Sequence, residues 1–354
     1  MEKNIIKKII KIKSISGDKF NCLKALIVIE KEIKSHNIPC FIKKHNDFPF
    51  LVAGNLKYGS ILLLSHIDIV SAKDEQFKLK QQGDKLFGRG VLDMKGPLLA
   101  SLDSFFELWE KDNKESIFVV TSDEEIGGFN GAEFLTKSFF ENIKLAVVPD
   151  STGNDLVIIQ KAPFHINLFS KGKSAHGSKP WEGINAAENL LKCCNNIINT
   201  TNKKTPTSTT AVLTQFHSGK TTNMIPDKAE AVIDIRIKQQ SEVDNLIAKI
   251  ENITKNFQCN WKKIDEPLFF EIKKNNFFIK KWKIAFKKIT NKNLKTNIEF
   301  GASDARFLWQ KLKIPIIITS AIGGGVHSNK EWVSVNSLNQ LSATIIEFIL
   351  SITD

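Results

Sequence analysis

Arginine is almost absent from this chain. Its 50 basic residues are 47 lysines and three arginines, set against 38 acidic residues, for a formal net charge of +12 over 354 residues. A surplus of that size invites a nucleic-acid reading. The lysines, however, are spread along a chain that is rich in Asn and Ile throughout, and no basic block with interleaved aromatics stands out. The charge therefore reads as compositional bias, and nucleic acid is not expected as a partner. Also missing is any run of 18 apolar residues, which removes membrane-spanning helices from consideration. The opening stretch, MEKNIIKKIIKIKSISGD, lacks the apolar core of a signal peptide. Its isoleucines at helical spacing, interrupted by lysines, predict a surface helix, and the expected location is cytoplasmic. Five cysteines (Cys22, Cys40, Cys193, Cys194, Cys259) make an odd count without CxxC spacing, so they are expected to be reduced thiols. There is no internal repeat and no low-complexity linker. With 42% hydrophobic and 25% charged residues, the chain suits one large or two medium globular domains.

What is present is a series of short, nearly continuous apolar runs: SILLL (60–64), SIFVV (116–120), LAVVP (145–149) and IPIIIT (314–319). Continuous rather than alternating runs predict strands covered on both faces. Helical patterns lie among them, in GPLLASLDSFFELWEKD (96–112) and FNGAEFLTKSFFEN (129–142), so the expected class is α/β. The middle of the chain differs. Partly alternating strands at 163–173, 209–219 and 229–240 are separated by helical segments at 183–199 and 241–257, a β-α-β-β-α order that predicts a compact α+β insert over 164–273. The flanking parts, 1–163 and 274–354, then form the other domain.

Each buried run is followed by a potential metal ligand. ILLLSHID delivers His66 and Asp68, SIFVVTSDEE delivers Glu124 and Glu125, LAVVPD delivers Asp150, and IPIIITSAIGGGVHS delivers His327 after a glycine-rich turn. Asp93 sits in the loop before the 96–112 helix. Open α/β sheets place their sites beyond the carboxyl ends of the strands. One strand followed by an Asp or a His is ordinarily a turn, but four such coincidences point to a shared site. Adjacent carboxylates repel, and removing them from water costs several kcal/mol each unless something positive compensates. Imidazole and carboxylate donors suit Zn²⁺, Co²⁺ or Mn²⁺. Two histidines and three carboxylates exceed what one tetrahedral ion with an open position needs, and match two ions sharing a carboxylate. Asp68, two residues beyond His66, is placed to accept the imidazole N–H; a loop-capping aspartate is the alternative.

These motifs carry a resemblance. SHIDIV, LFGRGVLDMKG, SDEEIGGFNGAEFL, KSAHGSKPWEGINAAE, TTNMIPDKAEAVIDIR, GASDARF and GGGVHSNKEWV, in this order over nearly the whole chain, resemble the co-catalytic zinc aminoacylase/carboxypeptidase family of metallohydrolases, which includes succinyl-diaminopimelate desuccinylases, acetylornithine deacetylases and several peptidases. The resemblance implies a zinc-exopeptidase-like α/β domain with a mixed sheet between helices, and an inserted ferredoxin-like α+β lid and dimerisation domain. It implies that His66 and Asp150 hold one metal ion, Glu125 and His327 the other, and that Asp93 bridges, with a cis peptide after it. Glu124 would be the general base, taking a proton from a metal-activated water. His176 would donate to the developing oxyanion, and His176 and Asn223 would reach the active site of a partner subunit. Arg236 would grip a substrate carboxylate, and Gly301 would let backbone approach the ligand.

The implied reaction is hydrolysis of the amide bond of an N-acyl amino acid with a free carboxylate. Desuccinylases usually carry a pair of arginines on the strand before the His176 position. This chain has IIQKAPF there, with a single Lys161, so an exopeptidase or dipeptidase stands as the alternative. A non-catalytic binding module, the distant alternative, would be expected to have broken ligands, and none is broken here.

Overall fold

The computed structural model describes residues 3–201, 205 and 207–353. The chain divides into two compact units. The first runs up to Ile159 and continues with Glu271–Glu299 and from Ser303 onward; the second is Gln160–Phe270 with Phe300–Ala302.

The first unit is organised on a mixed sheet. At its centre Ser116–Thr121, Ile61–His66, Leu145–Val148 and Ile316–Ile318 lie side by side in that order, all parallel. These are the four apolar runs of the sequence. Every residue of the four strands is buried, as parallel strands covered on both faces require. An antiparallel hairpin, Cys40–His45 with Phe48–Gly54, extends the sheet beyond Ser116–Thr121. Its turn is Asn46-Asp47, both at positive φ (46° and 66°), the conformation a tight two-residue hairpin demands. On the other side Leu156–Gln160 pairs antiparallel with Ile316–Ile318.

Helices cover this sheet. Lys95–Glu110 begins with Gly96-Pro97, where a missing N–H costs nothing. It packs against Val335–Thr353, which packs in turn on Phe277–Thr290. Lys19–Ser35 lies on the hairpin and is capped by Asp18, whose side chain accepts the Asn21 N–H at 3.0 Å. The first helix, Lys3–Lys11, is less superficial than its lysines suggest: Ile5, Ile6, Ile9 and Ile10 are all buried. Its end is held by the buried Lys95, whose Nζ donates to the carbonyl oxygens of Ile9 (2.9 Å) and Ile12 (3.1 Å).

In the second unit, strands Ala162–Lys171, Thr210–Ser218, Lys228–Ile237 and Cys259–Lys263 and helices Ala186–Thr200 and Val243–Asn256 follow a β-α-β-β-α-β order. The sheet runs Thr210–Ser218, Lys228–Ile237, Ala162–Lys171, Cys259–Lys263, antiparallel throughout, which is a ferredoxin-like topology. Residues alternate between buried and half-buried along Ala162–Lys171, so one face meets the helices and the other does not. The closing strand was not expected from the sequence. It reads CNWKK and buries only Cys259, so it carries no apolar pattern to announce it.

Candidate metal centre

The carboxyl ends of the parallel strands deliver the side chains. His66 is the last residue of Ile61–His66 and is 1% exposed. Its Nδ1 lies 3.0 Å from the Asp68 carbonyl oxygen and 3.4 Å from the Asp68 carboxylate, so the backbone is the nearer acceptor. The carboxylate of Asp68 has other work. It accepts the backbone N–H groups of Glu124 (3.2 Å) and Glu125 (3.1 Å) and the Ser16 hydroxyl (2.6 Å). Asp68 thereby joins the end of one strand to the acidic turn after the next.

That turn, Glu124–Ile126, is a single 3-10 turn closed by Gly127 (φ 112°) and Gly128 (φ 67°), angles that suit only glycine at low cost. Arg306 spans it, with Nη2 donating to the Gly127 carbonyl (2.7 Å) and Nη1 to that of Ser303 (3.0 Å). A Cβ on Gly128 would come within 2.1 Å of the Asp304 carboxylate, which accepts the Thr121 hydroxyl.

Asp93 sits in a loop fixed by Glu331, a residue that sequence reasoning did not single out. The buried Glu331 carboxylate accepts from Arg89 Nη1 (2.7 Å) and from the backbone N–H groups of Gly90 (3.0 Å), Leu92 (3.0 Å) and Asp93 (3.2 Å). The Asp93–Met94 peptide is cis. The two oxygens of Asp93 face different histidines: Oδ1 is 3.2 Å from His66 Nε2, and Oδ2 is 3.2 Å from His327 Nε2. His327, itself left-handed at φ 61°, also lies 3.1 Å from Glu125 Oε2.

Among the described residues, two groups of three bring their donor atoms within 4.8 Å of one another: His66, Asp93 and Asp150, and Asp93, Glu125 and His327. Asp93 is common to both, and Glu124 is in neither.

The electrostatics ask for positive charge. Burial, and then the charge of Asp150, push Glu124 well above the usual carboxylate range. Burial, and then Asp93, do the same to Asp150. Burial would lower His66, but Asp68 and Asp93 outweigh it and raise it well above an ordinary imidazole. Asp93 and Glu125 raise His327 to about 10. Protons on two imidazoles thus take the place that cations would occupy, and a divalent ion reverses this preference. The donors are imidazole nitrogen and carboxylate oxygen in two triads with a shared member, so the residues fit a pair of borderline divalent ions.

The remaining expected residues belong to the second unit. His176 is exposed, and its Nδ1 accepts the Ser178 backbone N–H at 3.2 Å. A neutral ring there carries its proton on Nε2. Gly177 donates its N–H to the Asn223 carbonyl (2.8 Å), which places His176 and Asn223 side by side. Arg236 is a fork on Asp234: Nε donates to Oδ1 (2.8 Å) and Nη2 to Oδ2 (3.0 Å). Gly301 is exposed, and an added Cβ would meet nothing within 4 Å. Lys161 is buried, with Nζ donating to the Ser208 carbonyl at 2.6 Å.

Known proteins resemble this chain in sequence and fold. Succinyl-diaminopimelate desuccinylase of Rickettsia bellii is 26% identical over 92% of this chain and 91% of its own length. The [LysW]-lysine/[LysW]-ornithine hydrolase of Sulfurisphaera tokodaii is 27% identical over 98% of this chain and 94% of its own. Among solved structures, a tripeptidase from Staphylococcus aureus superposes with a TM-score of 0.84 at 20% identity, covering 98% of this chain and 96% of that one. An M20 family metallo-carboxypeptidase from Sulfolobus solfataricus superposes with a TM-score of 0.82 at 16% identity, covering 99% of both chains. These likenesses establish a shared fold. The family pattern described as Peptidase family M20/M25/M40 matches residues 62–351. The chain belongs to this family of metal-dependent hydrolases.

Proposed function

We propose that the protein is a dimetal hydrolase that cleaves the amide bond of an N-acyl amino acid bearing a free carboxylate. The observation that carries this reading is Asp93, whose two oxygens each face a histidine Nε2 at 3.2 Å, one from each triad. His66, Asp93 and Asp150 would hold one ion, and Asp93, Glu125 and His327 the other, with Zn²⁺ the simplest choice and Co²⁺ or Mn²⁺ compatible. Two such ions supply Lewis acidity, which acidifies water and polarises an amide carbonyl.

The chain's own groups do the rest. Glu124 takes the proton of the attacking water on its carboxylate and returns it to the leaving nitrogen. Asp68 holds the backbone N–H groups of both glutamates, so that adjacent side chains keep separate tasks. His176, with Nδ1 turned to Ser178, offers Nε2–H to the developing oxyanion, and Asn223 stands next to it for the same purpose. Arg236 takes the substrate carboxylate, and Gly301 leaves room for backbone to approach the ligand. A homodimer through 164–273 belongs to the same reading.

A specific observation favours a second reading, an exopeptidase or dipeptidase. Lys161 stands where desuccinylases usually carry an arginine pair, and its ammonium is engaged by the Ser208 carbonyl. That leaves no bidentate clamp for a succinyl group.

The test is a panel on the Zn²⁺-loaded enzyme: N-succinyl-diaminopimelate, N-acetylornithine, N-acetyl-lysine and several dipeptides. Turnover of an acyl amino acid supports the first reading. Turnover of dipeptides alone transfers the case to the second, and no turnover of any member defeats both. Glu124→Gln should keep two equivalents of metal and lose about 10²- to 10⁴-fold in kcat. Near-normal turnover in that variant would remove Glu124 as the base.

A further inference from the structure

The two helices of the second unit lie against one face of its sheet, and on the other, half-buried face four charged side chains form a connected row. His165 and Asp234 stand directly opposite each other on neighbouring antiparallel strands. Arg236 follows Asp234 by two residues and so projects from the same face. Arg236 binds both oxygens of Asp234, through Nε at 2.8 Å and Nη2 at 3.0 Å. His165 Nε2 lies 3.6 Å from Asp234 Oδ1, an ion-pair distance, and His165 Nδ1 is 2.5 Å from Asp265 Oδ2. The other oxygen of Asp265 accepts the His165 backbone N–H at 2.7 Å, which locks the imidazole between two carboxylates.

An arginine already paired with an aspartate is neutral as a unit and would attract a second carboxylate weakly. The row changes that balance. With His165 protonated, the charge of Asp234 is shared between two cations, and the four groups sum to zero rather than to minus one. The Asp234 and Asp265 carboxylates raise His165 to about 9, which keeps it protonated at neutral pH. Asp234 takes two of the five guanidinium N–H donors, and among the described residues the other three are left for a ligand.

We propose that His165, backed by Asp265, is a positioning residue for substrate recognition: it draws on Asp234 so that the guanidinium of Arg236 is held rigid yet keeps enough positive potential to bind a substrate carboxylate. This rests on the reading above in which Arg236 meets that carboxylate.

The experiment uses the Zn²⁺-loaded full chain, the panel substrate with the highest kcat/KM, and the same compound with its free carboxylate converted to a carboxamide. Arg236→Lys tests the underlying reading: it should lose more kcat/KM on the acid than on the amide, by about tenfold. His165→Asn tests the inference. It should raise KM for the acid about three- to tenfold with kcat little changed, and leave the amide unaffected. His165→Lys, which restores a cation, should recover most of that loss. Thermal melting of each variant reports on folding. An acid-specific effect in Arg236→Lys with none in His165→Asn overturns the inference and leaves the reading of Arg236 standing. Equal losses on acid and amide in His165→Asn, or no recovery in His165→Lys, reduce His165 to a structural role and also overturn it. If Arg236→Lys does not distinguish acid from amide, the reading of Arg236 fails and takes the inference with it.

Discussion

The three arginines stand out against lysine, the default cation of this chain, and one of them, Arg236, uses a bidentate fork that lysine lacks. Arg89 meets the buried Glu331, Arg236 holds both oxygens of Asp234, and Arg306 reaches two carbonyl oxygens at once. Their scarcity made them conspicuous in the sequence, but their partners were not. Glu331 lies 242 residues from Arg89, and its other three partners are backbone N–H groups, which leave no trace in side-chain spacing. Glu331→Gln should loosen the loop that presents Asp93 and weaken metal binding about 10- to 100-fold, measured by competition with a chelator while far-UV circular dichroism stays native. Asp68 carries a similar lesson. Its placement two residues after His66 suggested an imidazole acceptor; its carboxylate lies 3.4 Å from His66 Nδ1 and also accepts two backbone N–H groups of the neighbouring turn, which the spacing did not reveal.

At the scale of elements, the apolar runs were legible because strands buried on both faces need continuous apolar sequence. The edge strands Cys40–His45 and Cys259–Lys263 did not need it, whereas Phe48–Gly54, between the edge and the centre, is a continuous and mostly buried apolar run that the sequence reading passed over. The first helix, Lys3–Lys11, is joined to the rest by Lys95, whose ammonium serves two carbonyl oxygens in a buried setting. Lys95→Met keeps the volume but leaves those acceptors unpaired, and should cost about 1–3 kcal/mol in urea denaturation. In the second unit, His165 is raised to about 9 by Asp234 and Asp265 from an unfolded value near 6.5. A raised histidine contributes its full stability below the unfolded value and loses it as pH climbs through the folded one. The stability of this unit should therefore fall between about pH 6.5 and pH 9, by about 1–2 kcal/mol after allowance for partial exposure. His165→Gln should flatten that slope in hydrogen exchange of strand Ala162–Lys171.

At the scale of the whole molecule, the first unit gathers six acidic or imidazole groups from three strand ends and two loops, a gathering that bound cations would make favourable. Removing metal with a chelator should abolish turnover and lower the melting temperature, with both restored by Zn²⁺ or Co²⁺, because an ion that binds the folded state alone adds its binding free energy to stability. A chain that melts identically with and without chelator would contradict this. The sequence by itself determined the α/β class, the four central strands and the imidazole and carboxylate groups that follow them, because continuous burial and costly charge both leave marks in local composition. Only the tertiary structure decided that Asp93 stands between two histidines, that Glu331 and Asp68 serve backbone N–H groups, and that Arg236 is already engaged by Asp234. Those are relations among groups distant along the chain or set by backbone direction, and residue spacing does not encode them.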